Sequence, residues 1–242
     1  DGDSNSLDEY YNRLFSLDSL QQFGWMEGCV LEGLLDLAES GNSALTAELK
    51  HRAEKTARDH LALFIDSDGT LRYENPRSLP LLDAVYGIEG ALPFASLARI
   101  DPSHPLLGTA LAFLKSRRER DPAIRDEEFL SAEGAYTAAY PLALAGRAAG
   151  ISGASSWAAQ ALLIRRDRLV GNGVLHLRFN HTAVEGYPNW ARAHAWYLLG
   201  MVRTLELIRE DPRFSELHGE LARAAEYTAA FQGPDGLWTC FI

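Results

Sequence analysis

Apolar residues recur at helical spacing along most of the chain, and the recurrence comes in pairs. A first stripe runs through Trp25, Val30, Leu31, Leu34, Leu35 and Leu37 and stops near Gly41-Asn42, a helix-stop signal. A second, about Ser43 to Phe64, places Leu45, Leu49, Ala53, Ala57, Leu61 and Phe64 on one face. The same pairing is predicted for 81–100 with 103–118, 129–149 with 153–169, and 189–209 with 213–232. Asp101-Pro102, Gly150 to Gly153 and Asp211-Pro212 separate the partners. Pairs therefore begin near 24, 81, 129 and 189, a repeat of about 50–60 residues.

The first helix of each pair is richer in small and apolar residues than the second, as 134–149 against 103–118 illustrates. A helix apolar nearly all round is buried, whereas one with a charged stripe faces water. Two layers follow, with the first helices inside and the second outside. Short Asp/Asn-Gly segments recur after outer helices: Asp68-Gly69-Thr70-Leu71, Asn172-Gly173-Val174-Leu175 and Asp235-Gly236-Leu237-Trp238. Each reads as a small extended flap, and on a ring of hairpins the flaps would frame one rim. The pattern is read as an all-α α/α toroid of helical hairpins, incomplete with four hairpins visible. Composition alone allows an α-solenoid equally. Residues 1–242 are expected to form one toroid domain, cut short at its C-terminal end.

Composition narrows the partners. The charge is 23 basic against 33 acidic, net −10, with no Lys/Arg run beyond Arg117-Arg118 and Arg165-Arg166, so nucleic acid is not expected. No apolar run approaches the ~20 residues of a membrane span. Two cysteines, Cys29 and Cys240, form no disulfide framework and leave the compartment open between cytoplasm and periplasm. The seven histidines lack metal-ligand spacing, His176 and His181 lying five apart across a loop. A metal site is not expected.

Two carboxylates stand out by position. Asp83 and Glu133 are each expected to open an inner helix, three residues before Tyr86 and Tyr136. A partly buried carboxyl there could act as a general acid; a first-turn acid favoured by the helix dipole is the plainer reading. The richest stretch, 172–197, carries His176 and Arg178 on a flap, then Trp190, Arg192, His194, Trp196 and Tyr197 on a helix. Trp190 with His194 and Arg192 with Trp196 are two i,i+4 pairs. Aromatic walls with Arg and His suit a sugar ring carrying a carboxylate, because the ring stacks and the guanidinium forks onto the acid.

These residues resemble the unsaturated glucuronyl and rhamnogalacturonyl hydrolases, glycoside hydrolase families 88 and 105. Trp190-Ala-Arg192-Ala-His194-Ala-Trp196 is similar to the family run Trp-Ala/Gly-Arg-Gly-Asn/Gln-Gly/Ala-Trp, and Gly173-Val-Leu-His176 to a Gly-Leu-x-x-His flap. Glu133-Gly-Ala-Tyr136 leading to Pro141-Leu-Ala resembles Asp-Gly-Leu-Tyr leading to Pro-Phe-Leu-Ala. The resemblance spans roughly residues 24 to 240 and implies an (α/α)6 toroid. It also implies acid-catalysed hydration of the C4=C5 vinyl ether of an unsaturated uronide on an anionic oligosaccharide, with neither a metal nor an organic cofactor. Glu133 falls at the acid/base aspartate and Asp83 near a second aspartate. His176, Trp190, Arg192, His194 and Trp196 fall at pocket positions, with Tyr136 and Tyr86 beside the two acids. Glu for Asp, His194 for Asn/Gln, Thr137 for Met and Ala193 for Gly depart from the pattern. The alternatives are hydrolysis of a saturated glycoside by two carboxylates, and a non-catalytic helical-repeat binding protein.

Overall fold

A computed structural model describes residues 2–180 and 185–242; His181 lies outside the described residues. After a first helix, α1 (Gly2–Leu14), the chain forms four helical hairpins. They are α2 (Trp25–Glu39) with α3 (Ala47–Phe64), α4 (Leu92–Ile100) with α5 (Leu107–Arg120), α6 (Tyr140–Ala148) with α7 (Ala154–Leu169), and α8 (Ala191–Leu207) with α9 (Phe214–Ala229). Successive first helices pack on one another, α2 on α4, α4 on α6 and α6 on α8, and each carries its partner outside. The two-layer arrangement expected from the small, apolar first helices is thus observed. In α4 every residue from Leu92 to Ala98 is buried, whereas α3 displays the exposed pairs Lys55–Asp59 and Glu54–Arg58.

Local chemistry sets the ends of these helices. Thr46 caps α3, its hydroxyl accepting from Leu49 N at 3.2 Å, and Pro93 and Pro141 sit in the first turns of α4 and α6. Missing side chains set the spacing. A Cβ on Gly28 would meet the Leu92 side chain at 2.6 Å, and one on Gly200 would lie 2.2 Å from the Ala135 backbone.

The third inner element begins with a π-helical turn, Ala135–Ala139, ahead of α6. Glu133 sits at its head, its carbonyl accepting from Tyr136 N and Thr137 N.

The second inner element departs from expectation. Residues 81–91 are not α-helix: β1 (Arg72–Glu74) pairs antiparallel with β2 (Pro80–Leu82), and a 3-10 turn at Ile88–Ala91 precedes α4. Left-handed backbone at Asp83 (φ 50°) and Gly87 (φ 63°) interrupts the helical period. Asp83 therefore does not open a helix. It closes the β-ribbon, its Oδ1 accepting from Leu71 N at 2.9 Å.

The flaps form as ribbons at two of three places. Asn172-Gly173, with φ 51° and 81°, turns β4 (Val170–Gly171) into β5 (Val174–Asn180), the backbone signature of a tight hairpin turn. Strand β5 also pairs with β3 (Phe129–Ser131) and β6 (Glu185–Pro188). The segment after Asp235-Gly236 forms a turn rather than a strand, and its end bridges Trp190 through Phe241.

The four inner helices are joined by a buried polar network. Glu32 of α2 is 1% exposed and accepts from Ser96 Oγ (2.8 Å) and Arg99 Nη1 (2.9 Å) of α4 and from Tyr140 Oη (2.8 Å) of α6. Arg99 also pairs with Asp36 at 3.0 Å, and Asp36 accepts from Arg203 of α8 at 2.9 Å. Removing one member of a buried charge network leaves its partners unpaired, at a cost of ~3–5 kcal/mol. Glu32→Ala is expected to lose about that much unfolding free energy in urea; a loss below ~1 kcal/mol, typical of an exposed pair, would show that the network does not hold the helices.

Candidate active site

The inner helices all start at one rim, and that rim holds a cavity of about 420 Å³. Trp25 comes from the first residue of α2, Glu89 from the 3-10 turn before α4, and Glu133 and Thr137 from the head of the third inner element. Arg178 comes from β5, and Arg192 and Trp196 from the first two turns of α8. A larger hollow of about 770 Å³ lies at the opposite ends of α6 and α8, against Arg147, Glu206 and Arg213, and includes no aromatic wall.

The cavity combines two carboxyls, two guanidiniums and two indoles. Arg192 Nη2 lies 3.2 Å from Glu133 Oε1, and its Cζ lies 4.5 Å from the centre of the Trp190 ring. Arg178 is held likewise, its Cζ 5.5 Å from the Phe129 ring. Such stacking orders a long cation at little cost to its hydration. Trp25 and Trp196 meet edge to face at 5.4 Å, and Tyr136 backs Trp196 at 5.8 Å. Glu133 is nearly buried and ion-paired. Glu89 differs: burial, then the neighbouring Asp126 and Glu133 charges, push its carboxyl above the ordinary value, and Arg178 and Arg192 only partly offset this. One carboxyl thus gives up its proton less readily than usual, and the other is paired with a cation.

Beneath Glu133 lies a fully buried cation. The Arg165 guanidinium donates to the carbonyls of Ala123 (2.6 Å), Ile124 (3.0 Å), Ser131 (3.1 Å) and Ala161 (3.1 Å). Gly134 lies against it so closely that a Cβ there would fall 2.0 Å from Nη2. The backbone on either side of Glu133 is thereby fixed.

Of the residues singled out in the sequence, Glu133, Arg178, Arg192 and Trp196 come together in this cavity. Tyr136 is buried behind it. Trp190 supports Arg192 but does not line it. Tyr86, 40% exposed, borders an adjoining small hollow with Trp25 and Glu89. Asp83 is exposed and bonded to the ribbon backbone. His176 is buried with Nδ1 3.2 Å from Leu169 O. His194 turns away towards α9, with Nδ1 2.9 Å from Thr228 Oγ1 and its ring on Tyr227. Burial and the nearby Arg223 lower its pKa to about 4, so it is a neutral interior imidazole. Its i,i+4 partner Trp190 shares that outward face, whereas Arg192 and Trp196 share the cavity face.

Glu89 was not anticipated. Its signal is Gly87-Ile-Glu89-Gly90 just before the Pro93 helix start, which reads as helix interior until Gly87 is known to be left-handed. Among the described residues, no group of His, Cys, Asp and Glu is arranged to hold a metal ion, and no helix is long and apolar enough to cross a membrane.

No family model matches the chain, and no curated protein matches it by sequence. Solved structures do. A family 105 glycoside hydrolase from C. acetobutylicum matches with TM-score 0.71 and 17% identity, over 96% of this chain and 69% of that one. The chain's fold resembles that of the family 105 glycoside hydrolases. An unsaturated glucuronyl hydrolase from Bacillus sp. GL1, responsible for glycosaminoglycan degradation, matches at TM-score 0.54 and 18% identity, over 90% of this chain and 59% of that one. Cellobiose 2-epimerase from Bacillus thermoamylovorans matches at 0.53 and 11%, over 90% and 66%. The shared helical fold thus carries more than one sugar chemistry, and function must be argued from the cavity.

The position of Glu89 has a consequence for stability. A carboxyl whose folded pKa is raised lowers stability as pH rises through the interval above its unfolded value, because only the folded state still holds the proton. Glu89→Gln is therefore expected to melt above wild type at pH 7. The gain should disappear below the ordinary carboxylate value, where both chains are uncharged at this position. Equal melting temperatures at both pH values would show that Glu89 is not strained in the folded cavity.

Proposed function

We propose that the chain is a glycoside hydrolase acting on oligosaccharides that end in an unsaturated uronic acid. The observation that supports this best is the pairing of two carboxyls with two ordered arginines in one indole-walled cavity. Two carboxyls alone suit many glycosidases. Two further cations beside them suit a ring that itself bears a carboxylate, and Arg178 and Arg192 supply them in a chain of net charge −10.

In this reading the uronate lies against Arg178 and Arg192, with Trp25 and Trp196 on the ring. A carboxyl delivers its proton to C4 of the C4=C5 bond, and the positive charge that develops is shared by C5 and the ring oxygen. Water adds at C5, its spare proton returning to a carboxylate. The ring oxygen then leaves C5, giving a ketone there and a hemiacetal at C1. The hemiacetal collapses to an aldehyde and releases the remaining sugar as an alcohol, so one water is consumed overall. Glu89, whose carboxyl is pushed above the ordinary value by burial and then by the neighbouring acids, suits the donor role; Glu133, held by Arg192, suits stabilising the charge and orienting the water. Asp83, the second acid expected from sequence, is assigned to the ribbon instead.

The direct assay is loss of ultraviolet absorbance of the C4=C5 bond on a panel of unsaturated disaccharides made by lyases. Glu89→Gln and Glu133→Gln are each expected to lower kcat at least ~10²-fold, the lower end for a positioned acid–base group, and Asp83→Asn to stay near wild type. Loss only in Asp83→Asn would move the acid to the ribbon. No decay on any substrate by folded wild-type protein would overturn the uronide reading and favour a saturated glycoside.

A further inference from the structure

A buried histidine of the first hairpin holds the stretch of chain that leads into the rim. His60 of α3 and Glu27 of α2 are both fully buried. His60 Nδ1 lies 2.9 Å from Glu27 Oε1, and Nε2 lies 3.2 Å from the Ser16 carbonyl oxygen. Ser16 precedes a 3-10 turn, Leu17–Ser19, in the arm that joins α1 to α2. The Ser19 hydroxyl, 3.5 Å from Nε2, donates to the Leu14 and Ser16 carbonyls and so turns its lone pairs to the ring.

Both ring nitrogens therefore face acceptors. A neutral imidazole has one N–H and would set a lone pair against one of them, whereas the imidazolium has a donor for each. The groups facing the ring are the Glu27 carboxylate of α2, Asp59 on its own helix, and the serine oxygens of the arm. Burial alone would lower the pKa of His60. The hydrogen bond and charge of Glu27, the Ser16 carbonyl and Asp59 more than offset this and raise it.

The other oxygen of Glu27 carries the link onward, accepting from Gln21 N at 2.7 Å, shortly before Trp25. From Gln21 the chain runs through Phe23, packed on Tyr73 and Phe94, and through Gly24, where a Cβ would lie 3.9 Å from Glu89 O. Trp25 then opens α2 and enters the cavity. We propose that His60, in its charged form, is a positioning residue for the active site: it clamps Glu27 and the arm together and so fixes the Trp25 indole on the cavity wall. The clamp stands on this geometry, whereas its effect on turnover rests on the uronide reading. A histidine whose folded pKa lies above its unfolded value stabilises the clamp on the acid side, and that stability is lost as pH rises through the folded value. Trp25 is thus held at acid pH and released as His60 loses its proton.

Fluorine NMR of the full chain carrying fluorotryptophan tests this, with the Trp25 signal assigned by Trp25→Phe. In wild type that signal is expected to shift in a step centred above the ordinary histidine value, while the signal of Trp157, on outer helix α7, stays still. The step should be absent in His60→Gln and move to lower pH in Glu27→Gln. It should persist in Glu89→Gln, which removes a second titrating group of the same cavity. Wild type alone supplies an independent reading, because ring-nitrogen signals at pH about 6 should show both His60 nitrogens protonated and His194 neutral. A neutral His60 at that pH, a Trp25 signal without a step, or a step that survives in folded His60→Gln would overturn the clamp. On an unsaturated disaccharide at the same pH, His60→Gln should raise KM about fivefold, the worth of one aromatic contact, and leave kcat within about twofold. No turnover, with the His60-dependent step intact, removes the uronide reading and leaves the clamp. Turnover with KM unchanged in His60→Gln, and no step at Trp25, removes the clamp and leaves the uronide reading.

Discussion

Everything at the rim depends on a carboxylate buried at the centre of the helices. Glu32 receives a serine and an arginine from α4 and a tyrosine from α6, and through Arg99 and Asp36 it is tied to Arg203 of α8. Apolar packing alone would let neighbouring helices slide, since it rewards area rather than register. Hydrogen-bonded charges in a low-dielectric interior tolerate little displacement. Clamped within, the four inner elements bring Trp25, Glu89, Glu133 and Arg192 to one cavity.

The cavity sets two cations against two carboxyls in a chain of net negative charge. Arg192 and Arg178 lie over aromatic rings, which hold each guanidinium without neutralising it. Glu133 takes up one of them, and Glu89, crowded by other acids and by burial, holds its proton more tightly than an ordinary carboxyl. Further along, past Arg178, the wall becomes acidic through Asp126, Glu127 and Glu128.

Much of this was legible in the chain. Paired apolar stripes gave the hairpins, the excess of small residues identified the inner helices, and Asn172-Gly173 marked a ribbon. Glu133, Arg178, Arg192 and Trp196, which share the rim cavity, were visible beforehand as an acid three residues before Tyr136, a basic residue on a flap, and an i,i+4 pair on one helix face. The misreadings have one cause, backbone that periodicity does not reveal. Asp83 and Gly87 adopt left-handed angles, so the expected helix start becomes a ribbon end, and the carboxyl that this element brings to the rim cavity is that of Glu89, six residues later. His194 was misplaced for a different reason. It shares a seven-residue run with Arg192 and Trp196, yet sits on the opposite side of the helix, where α9 covers it.

The central claim is that the cavity protonates a carbon rather than an anomeric oxygen. Running the reaction in heavy water and recording the NMR spectrum of the product tests it most directly. Hydration of the double bond predicts deuterium at C4 of a ring-opened keto product, together with disappearance of the vinyl proton. Release of the sugar with the double bond retained, or with no deuterium at C4, would contradict the account and assign the two carboxyls to displacement at the anomeric carbon.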